Sequence, residues 1–225
     1  MLLLISIVAA LGGCATESSH ALKVAQVDAA GASWRGVKTP VAVGKFDNRS
    51  TFMRGIFSDG IDRLGGQAKS TLVAHLRQSG HFNVLERENL DEGRQEAAFQ
   101  GRPQAIRGAD YVITGDISEF GRKDVSSSQL FGLLGSGKSQ TAYAKITLNV
   151  VNSLTSEVAY SARGAGEYAL SNHDLLFFRS DAGYDSTLNG KVLDLAMREA
   201  VNRLVEGLDQ GQWVAASAPA VRGAP

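Results

Sequence analysis

Cysteine is nearly absent from this chain, which has one, Cys14, among 225 residues. A single thiol excludes an internal disulfide framework and any zinc site built from several thiolates. The four histidines lie far apart without H-x-H or H-x-x-x-H spacing, so no metal site is expected. Lys plus Arg equals Asp plus Glu, at 23 each. This balance gives no sign of nucleic acid or an acidic substrate as a partner.

Long apolar runs are also missing. The charge-free run over residues 1–13 is shorter than the ~20 residues a helix needs to cross a bilayer, but it suits a signal-peptide core. It ends in Leu11-Gly12-Gly13-Cys14, the order of a bacterial lipobox, whose cysteine is acylated on sulfur before cleavage. An ordinary buried cysteine is the alternative, since no Lys or Arg precedes the run; a start codon placed too far downstream would explain that absence. The run predicts a signal peptide over 1–13, lipidation at Cys14 and an outer-membrane anchor with the main domain in the periplasm.

About 210 residues follow, enough for one large domain or two small ones. Small polar residues without a sustained period predict a lipidated N-terminus and tether over 14–39, and residues 215–225 predict a disordered tail. Between them, over 40–214, period-two and period-3.6 patterns alternate. They predict strands at 41–46, 82–85, 111–117, 144–150 and 158–161, and helices at 66–79, 90–100, 104–107 and 191–208. This order predicts an α/β (α+β) fold in which helices cover a sheet.

Two Gly/Ser-rich segments, 121–143 and 162–184, do not fit a compact domain of this kind. Each has about 23 residues, close to two membrane-crossing strands and a turn. In the second, small or aromatic residues alternate with Arg163 and Glu167, as a strand between lipid and a lumen requires. We expect these excursions to be β-hairpins of an oligomeric transmembrane β-barrel, because two hairpins alone cannot close one. Flexible loops, or a hairpin that packs on a periplasmic partner, are the alternative.

A phosphate-loop pattern occurs once, at residues 132–139, and its context excludes it. The pattern needs a buried strand before it and a helix after it. The preceding residues, 124–131, are polar, and the following residues, 141–150, alternate as a strand. Three other groups are expected to be solvated charges or turns rather than catalytic centres: Glu86 to Glu88, Asp116 with Glu119, and His173 with Asp174. The sequence therefore predicts no enzyme, cofactor or nucleotide.

The segment order resembles the CsgG/HfaB family of outer-membrane lipoproteins associated with curli or holdfast export. The resemblance covers most of the chain after Thr39. Its matching pieces are the lipobox, the sequence VLERENL at 84–90, GADYVITGD at 108–116, ITLNVVNSLTSE at 146–157, and the last helix leading to Gly211-Gln212-Trp213.

This resemblance implies an α/β periplasmic domain, two hairpins per subunit in a shared barrel, and a loop after the first strand that narrows the channel. The hairpins would be the two excursions. The constriction loop would lie between Asn48 and Asp62, with candidate lining residues Phe52, Met53, Ile56, Phe57 and Asp59. A second hairpin shorter than in curli exporters favours the holdfast-anchor branch.

The resemblance implies a homo-oligomeric ring that passes or anchors curli-like or adhesin subunits, together with accessory periplasmic proteins. A second hypothesis keeps the anchor and the domain without a pore: a periplasm-facing regulatory lipoprotein that binds a cell-envelope protein. A third, a nucleotide hydrolase, depends on the excluded phosphate loop.

Overall fold

The computed structural model describes residues 26–28, 34–52, 62–128, 136–170 and 186–213. Within them the chain forms five strands and three helices. In chain order these are β1 (Thr39–Asn48), α1 (Arg63–Gln78), β2 (Phe82–Leu85), α2 (Leu90–Phe99), β3 (Tyr111–Ser128), β4 (Ser136–Asn152), β5 (Val158–Leu170) and α3 (Ser186–Asp209). The predicted α/β fold class is confirmed.

The strands form one mixed sheet in the order β2-β1-β3-β4-β5. β1 pairs in parallel with both β2 and β3, whereas β3, β4 and β5 form an antiparallel meander. β3 runs past the end of β1 and pairs with β4 as far as Ser128 and Ser136, so the first excursion is a hairpin in its described part. β5 likewise continues to Leu170, opposite Gln140 of β4, and includes the first nine residues of the second excursion.

Helices α1 and α3 lie side by side against the sheet, α1 over β1 and β2 and α3 over β4 and β5. The predicted alternation of β4 is confirmed: Ile146 and Leu148 are buried, while Lys145 is exposed. An apolar stripe along α3 also lies in the core, with four buried residues at helical spacing: Leu193, Met197, Ala200 and Leu204.

A buried imidazole joins the two helices. His75 of α1 is 2% exposed, and its Nε2 lies 2.8 Å from Oδ1 of Asp194 on α3. Its Nδ1 lies 3.1 Å from Oε1 of Gln78. Both ring nitrogens therefore have polar partners, as a buried imidazole requires.

The end of α3 is fixed by an aromatic cluster around Trp213, which is 2% exposed. Its ring stacks on Phe82 and Tyr160 and meets Tyr111 edge-on. The indole Nε1 donates to the carbonyl oxygen of Leu204 at 3.1 Å. Trp213 therefore anchors the end of α3 in the core. Burial, followed by the charge of Asp110, raises the pKa of Tyr111.

Two glycines of β5 set the distance to α3. A Cβ at position 164 would clash with the carbonyl oxygen of Ala196 and lie 2.5 Å from the backbone nitrogen of Ala200. A Cβ at position 166 would lie 2.8 Å from the nitrogen of Ala196. In the described part of the second excursion, the small-residue face interpreted from the sequence as facing lipid therefore packs on α3. The opposite face carries the exposed Arg163 and Glu167.

Part of the predicted tether packs on the domain. Val27 is 2% exposed and belongs to the core, and Asp28 exchanges two hydrogen bonds with Asn202 of α3. Trp34 lies against the ring of His81 with centroids 4.2 Å apart. The prediction treated isolated apolar residues in a polar segment as free chain, whereas Val27 is buried in the core and Trp34 packs on His81. Val27, Asp28 and Trp34, which lie within the predicted tether, therefore contact the folded domain.

The short helix predicted at 104–107 is wrong, because the structure has no regular element there. Residues 104–107 include the exposed Ile106 and have no apolar face to bury, and a single turn is unfavourable without packing. No helix in the described segments is long and apolar enough to cross a membrane.

We expect Gly164→Ala to lower the free energy of unfolding by about 2–3 kcal/mol, because the added methyl must push α3 from β5. The measurement is urea unfolding followed by circular dichroism. Gly66→Ala is the matched control: its Cβ meets no atom within 4 Å in α1, so helix propensity should raise stability by about 0.5–1 kcal/mol. A Gly164→Ala variant as stable as the parent would contradict the packing argument.

Candidate functional site at one end of the sheet

Both excursions and the predicted constriction loop leave the domain at one end of the sheet. β1 ends there at Asn48, β3 continues outward to Ser128, and β4 returns from Ser136. β5 reaches the same end at Leu170, because it runs antiparallel to β4. α3 begins there too: Lys191, near its start, lies over the ring of Tyr168.

Asp62 holds together the two ends of the predicted constriction loop. Its Oδ2 accepts a hydrogen bond from the backbone N–H of Asn48 at 2.6 Å, at the end of β1. Its Oδ1 accepts from the N–H of Gly65 at 2.8 Å, which makes Asp62 the N-cap of α1. One carboxylate thus fixes both the point where the chain leaves β1 and the point where α1 begins.

The first residues of the loop form a tight polar turn. The Asn48 side chain accepts hydrogen bonds from the N–H and hydroxyl of Ser50, at 3.0 and 2.6 Å. Its Nδ2 donates to the carbonyl oxygen of Phe52 at 2.9 Å. Arg49 N–H donates to the carbonyl oxygen of Ile117 and continues the pairing with β3 for one residue beyond β1. The turn therefore directs the chain along β3.

Phe52 is the one predicted constriction residue that the structure describes. Its ring packs on Phe120 of β3 with centroids 4.8 Å apart, so it is partly buried at the base of the hairpin. Phe52 therefore holds the start of the loop against β3, and its place in a constriction stays a prediction. Met53, Ile56, Phe57 and Asp59 lie outside the described residues, as does Cys14.

Sequence reasoning missed Asp62 as the clasp, although it placed the loop's end near that residue. The signal was present: an aspartate directly before a helix is a common N-cap. Gly65 and Gly66 hid the helix start, because glycine is a poor helix former and the apolar period begins only at Ala68.

The phosphate-loop pattern falls in the same hairpin. Lys138 and Ser139 belong to strand β4, paired with Ser126 and Val125 of β3. The strand predicted after the pattern is confirmed, and a phosphate loop needs a helix at that point.

The other charged groups weighed in the sequence have structural partners. Oε1 of Glu86 accepts from the backbone N–H groups of Arg87 and Glu88 at 2.8 and 2.6 Å. These bonds, that to Glu88 most, lower the pKa of the exposed Glu86 carboxyl. Oδ2 of Asp116 lies 4.0 Å from Nε of Arg49, and Glu119 forms a salt bridge with Lys145. His173 and Asp174 lie outside the described residues. Within the described ranges, no cluster of three or more His, Asp or Glu could hold a metal.

We expect Asp62→Ala to cost about 1–2 kcal/mol of unfolding free energy, because both the helix cap and the bond to β1 are lost. Amide hydrogen exchange should accelerate at Asn48 and Gly65. Asp62→Asn keeps one acceptor oxygen and should lose less. Unchanged exchange at both amides in the alanine variant would show that the carboxylate does not clasp the loop.

Among solved structures, the chain is similar to the PelC dodecamer from Paraburkholderia phytofirmans, with 14% identity over 73% of this chain and 87% of that one and a TM-score of 0.35. It is also similar to a hypothetical protein from Chlamydia trachomatis, with 16% identity, 76% and 97% coverage and a TM-score of 0.42. Because these identities and TM-scores are low, the family assignment depends on the sequence comparisons.

Among curated proteins, a "Putative lipoprotein" of Neisseria meningitidis serogroup B is 60% identical over 203 residues, which is 90% of this chain and 91% of the relative. The family model described as "Curli production assembly/transport component CsgG" matches residues 23–223. A match over nearly the whole domain agrees with the resemblance seen in the sequence. The chain belongs to the CsgG family.

Proposed function

We propose that this chain is a non-enzymatic lipoprotein anchored in the outer membrane through Cys14. Its subunits assemble into a ring that serves as a secretion channel or anchor for curli-like or holdfast adhesin subunits. Family membership and the Neisseria relative support a lipoprotein of the cell envelope. We propose in addition that the subunits form a ring, that the ring is a channel or anchor, and that its client is such a subunit.

One observation carries the proposal: the hairpin, the second excursion and the clasped loop all leave the sheet at one end. A regulator needs no such common end, but a pore needs its wall and its constriction together. The loop base lies against the hairpin base through Phe52 and Phe120. A loop placed there would project into a lumen that the hairpins surround.

The sheet leaves two open edges at this end. In the described residues, β3 has no partner on its β1 side beyond Ile117, and β5 has no strand on its outer side. Unpaired edges recruit further strands, and within a membrane every backbone polar group needs a partner. The edges face opposite flanks, so repeated pairing of one copy with the next would close a ring.

Transport through such a ring would be passive. The width and lining of the constriction would select the client. The candidates for that lining are Phe52, Met53, Ile56, Phe57 and Asp59, of which Phe52 packs on Phe120 at the base of the hairpin. A narrow ring with apolar and aromatic side chains would pass an extended chain and exclude folded protein.

Single-particle imaging tests the assembly directly. The lipidated protein would be purified from outer membranes in mild detergent, with Cys14→Ser as the control that lacks an acylated sulfur. We expect rings with a transmembrane wall and a central opening from the parent, and loss of membrane association in the control. Monomers or barrel-free small oligomers would overturn the channel and favour the regulatory lipoprotein.

Conductance in planar bilayers tests the constriction. Phe57→Ala should raise single-channel conductance about two-fold or more, because removing a ring of aromatic side chains widens the narrowest point. Leu154→Ala is the control, since Leu154 is 92% exposed in the turn at the opposite end of the sheet. Equal conductance of both variants would show that Phe57 does not line the constriction, and it would not contradict the channel itself.

A further inference from the structure

Strand β2 lies at one edge of the sheet, and in the described residues no strand pairs with its outer side. The register shows which backbone groups are left there. Thr39 is aligned with Phe82, and its N–H donates to the carbonyl oxygen of His81. Alternate residues of β2, beginning with His81, therefore direct their backbone groups at β1. Phe82 and Val84 direct theirs outward, where a further strand can pair with them.

A groove of about 280 Å³ lies between this edge and helix α1. Its apolar lining includes Val43, Val73 and Val84, and the last two are only partly buried. Its rim carries charges of both signs, and Lys69 and Glu88 at the rim pair with each other. An uncharged segment with small side chains would therefore cover the two valines without breaking an ion pair.

The described chain ends beside the start of β2. Oδ1 of Asp209, the last residue of α3, lies 3.4 Å from Nε2 of His81, which directly precedes β2. Trp213, where the described residues end, stacks on Phe82, the first residue of β2, with ring centroids 6.0 Å apart. The residues after Trp213 therefore begin close to the open edge.

The segment that follows Trp213 is short, uncharged and built from small residues. Val214 to Ala218 contains one valine, three alanines and one serine. Five extended residues span about 16 Å, enough to cover the four residues of β2. Pro219 has no N–H to donate and would end such a pairing. Length and composition thus suit one added strand.

The topology favours the β2 edge over the β5 edge for this segment. Helices α1 and α3 lie on the same face of the sheet, and β5 runs parallel to β1. A parallel strand added outside β2 after α3 would give a crossover of the same hand as β1-α1-β2. A parallel strand outside β5 would give the opposite hand. Because such crossovers are right-handed in about 98% of cases, β2 is the edge that the rule allows.

We infer that residues 214–218 of this chain dock as a sixth strand along the outer edge of β2 and parallel to it. The outward backbone groups of Phe82 and Val84 gain partners, and the small side chains cover the groove beside α1. The inference does not depend on the proposed ring, since it leaves the β3 and β5 edges available to other copies. The disordered tail predicted from residue 215 would begin after the added strand instead.

Hydrogen exchange in the lipidated full-length protein tests the pairing, with residues resolved by mass spectrometry after electron-transfer fragmentation. The amides of Phe82 and Val84 should exchange at least ten-fold faster in a variant that ends at Trp213. The amides of Asn83 and Leu85 point at β1 and are the internal reference. Equal exchange of Phe82 and Val84 in the two proteins would overturn the docking.

A second variant keeps the native chain length. Ala215→Pro with Ala216→Pro removes an N–H that faces β2 in either register, so it should speed exchange at Phe82 and Val84 as truncation does. Circular dichroism checks that both variants fold. Unchanged protection of Phe82 and Val84 in a folded double-proline variant would equally overturn the docking.

Disulfide trapping identifies the occupant of the edge. The one native cysteine is the predicted lipid site, so an introduced pair can be followed alone. Asn83→Cys is combined in turn with Ala216→Cys and Ser217→Cys, which sample both faces of the added strand. On oxidation, one of the two pairs should form a disulfide within the chain, seen as faster migration on a denaturing gel.

Ser161→Cys with the same two tail positions is the matched control. Ser161 is exposed and follows Tyr160, which stacks on Trp213 as Phe82 does, so a free tail would reach both edges. We expect trapping at Ser161 to be at least ten-fold slower than at Asn83. Equal rates would show that the tail does not dock on β2. Disulfide-linked dimers would show that the tail of a second copy occupies the edge, and either result would overturn the inference.

Discussion

Helix α3 can lie directly on strand β5 because positions 164 and 166 carry no side chain. Any Cβ there would overlap the helix backbone, so this contact tolerates no substitution without movement of the helix. Much of the domain depends on that close approach. It brings the α3 stripe into the core, leaves His75 of α1 facing Asp194, and sets the tail of α3 where Trp213 reaches Phe82, Tyr111 and Tyr160.

The same packing supports β5 as it extends beyond the short strands of the sheet. β1 and β2 end early, whereas β3, β4 and β5 continue together at one end. Beyond the ends of β1 and β2, the sheet therefore consists only of the antiparallel strands β3, β4 and β5. The Asp62 clasp lies at that boundary, close to where Phe52 packs on Phe120 of β3.

Periodicity located the five strands and the long helices α1 and α3, because each buries one face, but it ended β3 and β5 early and began β4 late. The first two residues of the VLERENL segment lie in β2, and the last helix is longer at both ends than predicted. The glycines of the second excursion misled the interpretation. Glycine-rich sequence is typical of loops and of small lipid-facing positions, and nothing local reveals that a distant helix requires Gly164. The helix predicted at 104–107 is absent because a local preference for helix has no packing there to stabilise it.

The docked N-terminal segment sets how far the domain can stand from a bilayer. Val27 is fixed in the core, and thirteen residue steps separate it from Cys14, the proposed lipid site, which gives a reach of at most ~43–47 Å. Asn202, which holds Asp28, lies sixteen residues from the start of α3, or about 24 Å along the helix from the hairpin end. Under the proposed membrane entry of the hairpins, this length would let the linker run back to the same membrane with roughly 20 Å to spare. A deletion of about half that linker would pull the lipid and the hairpins against each other.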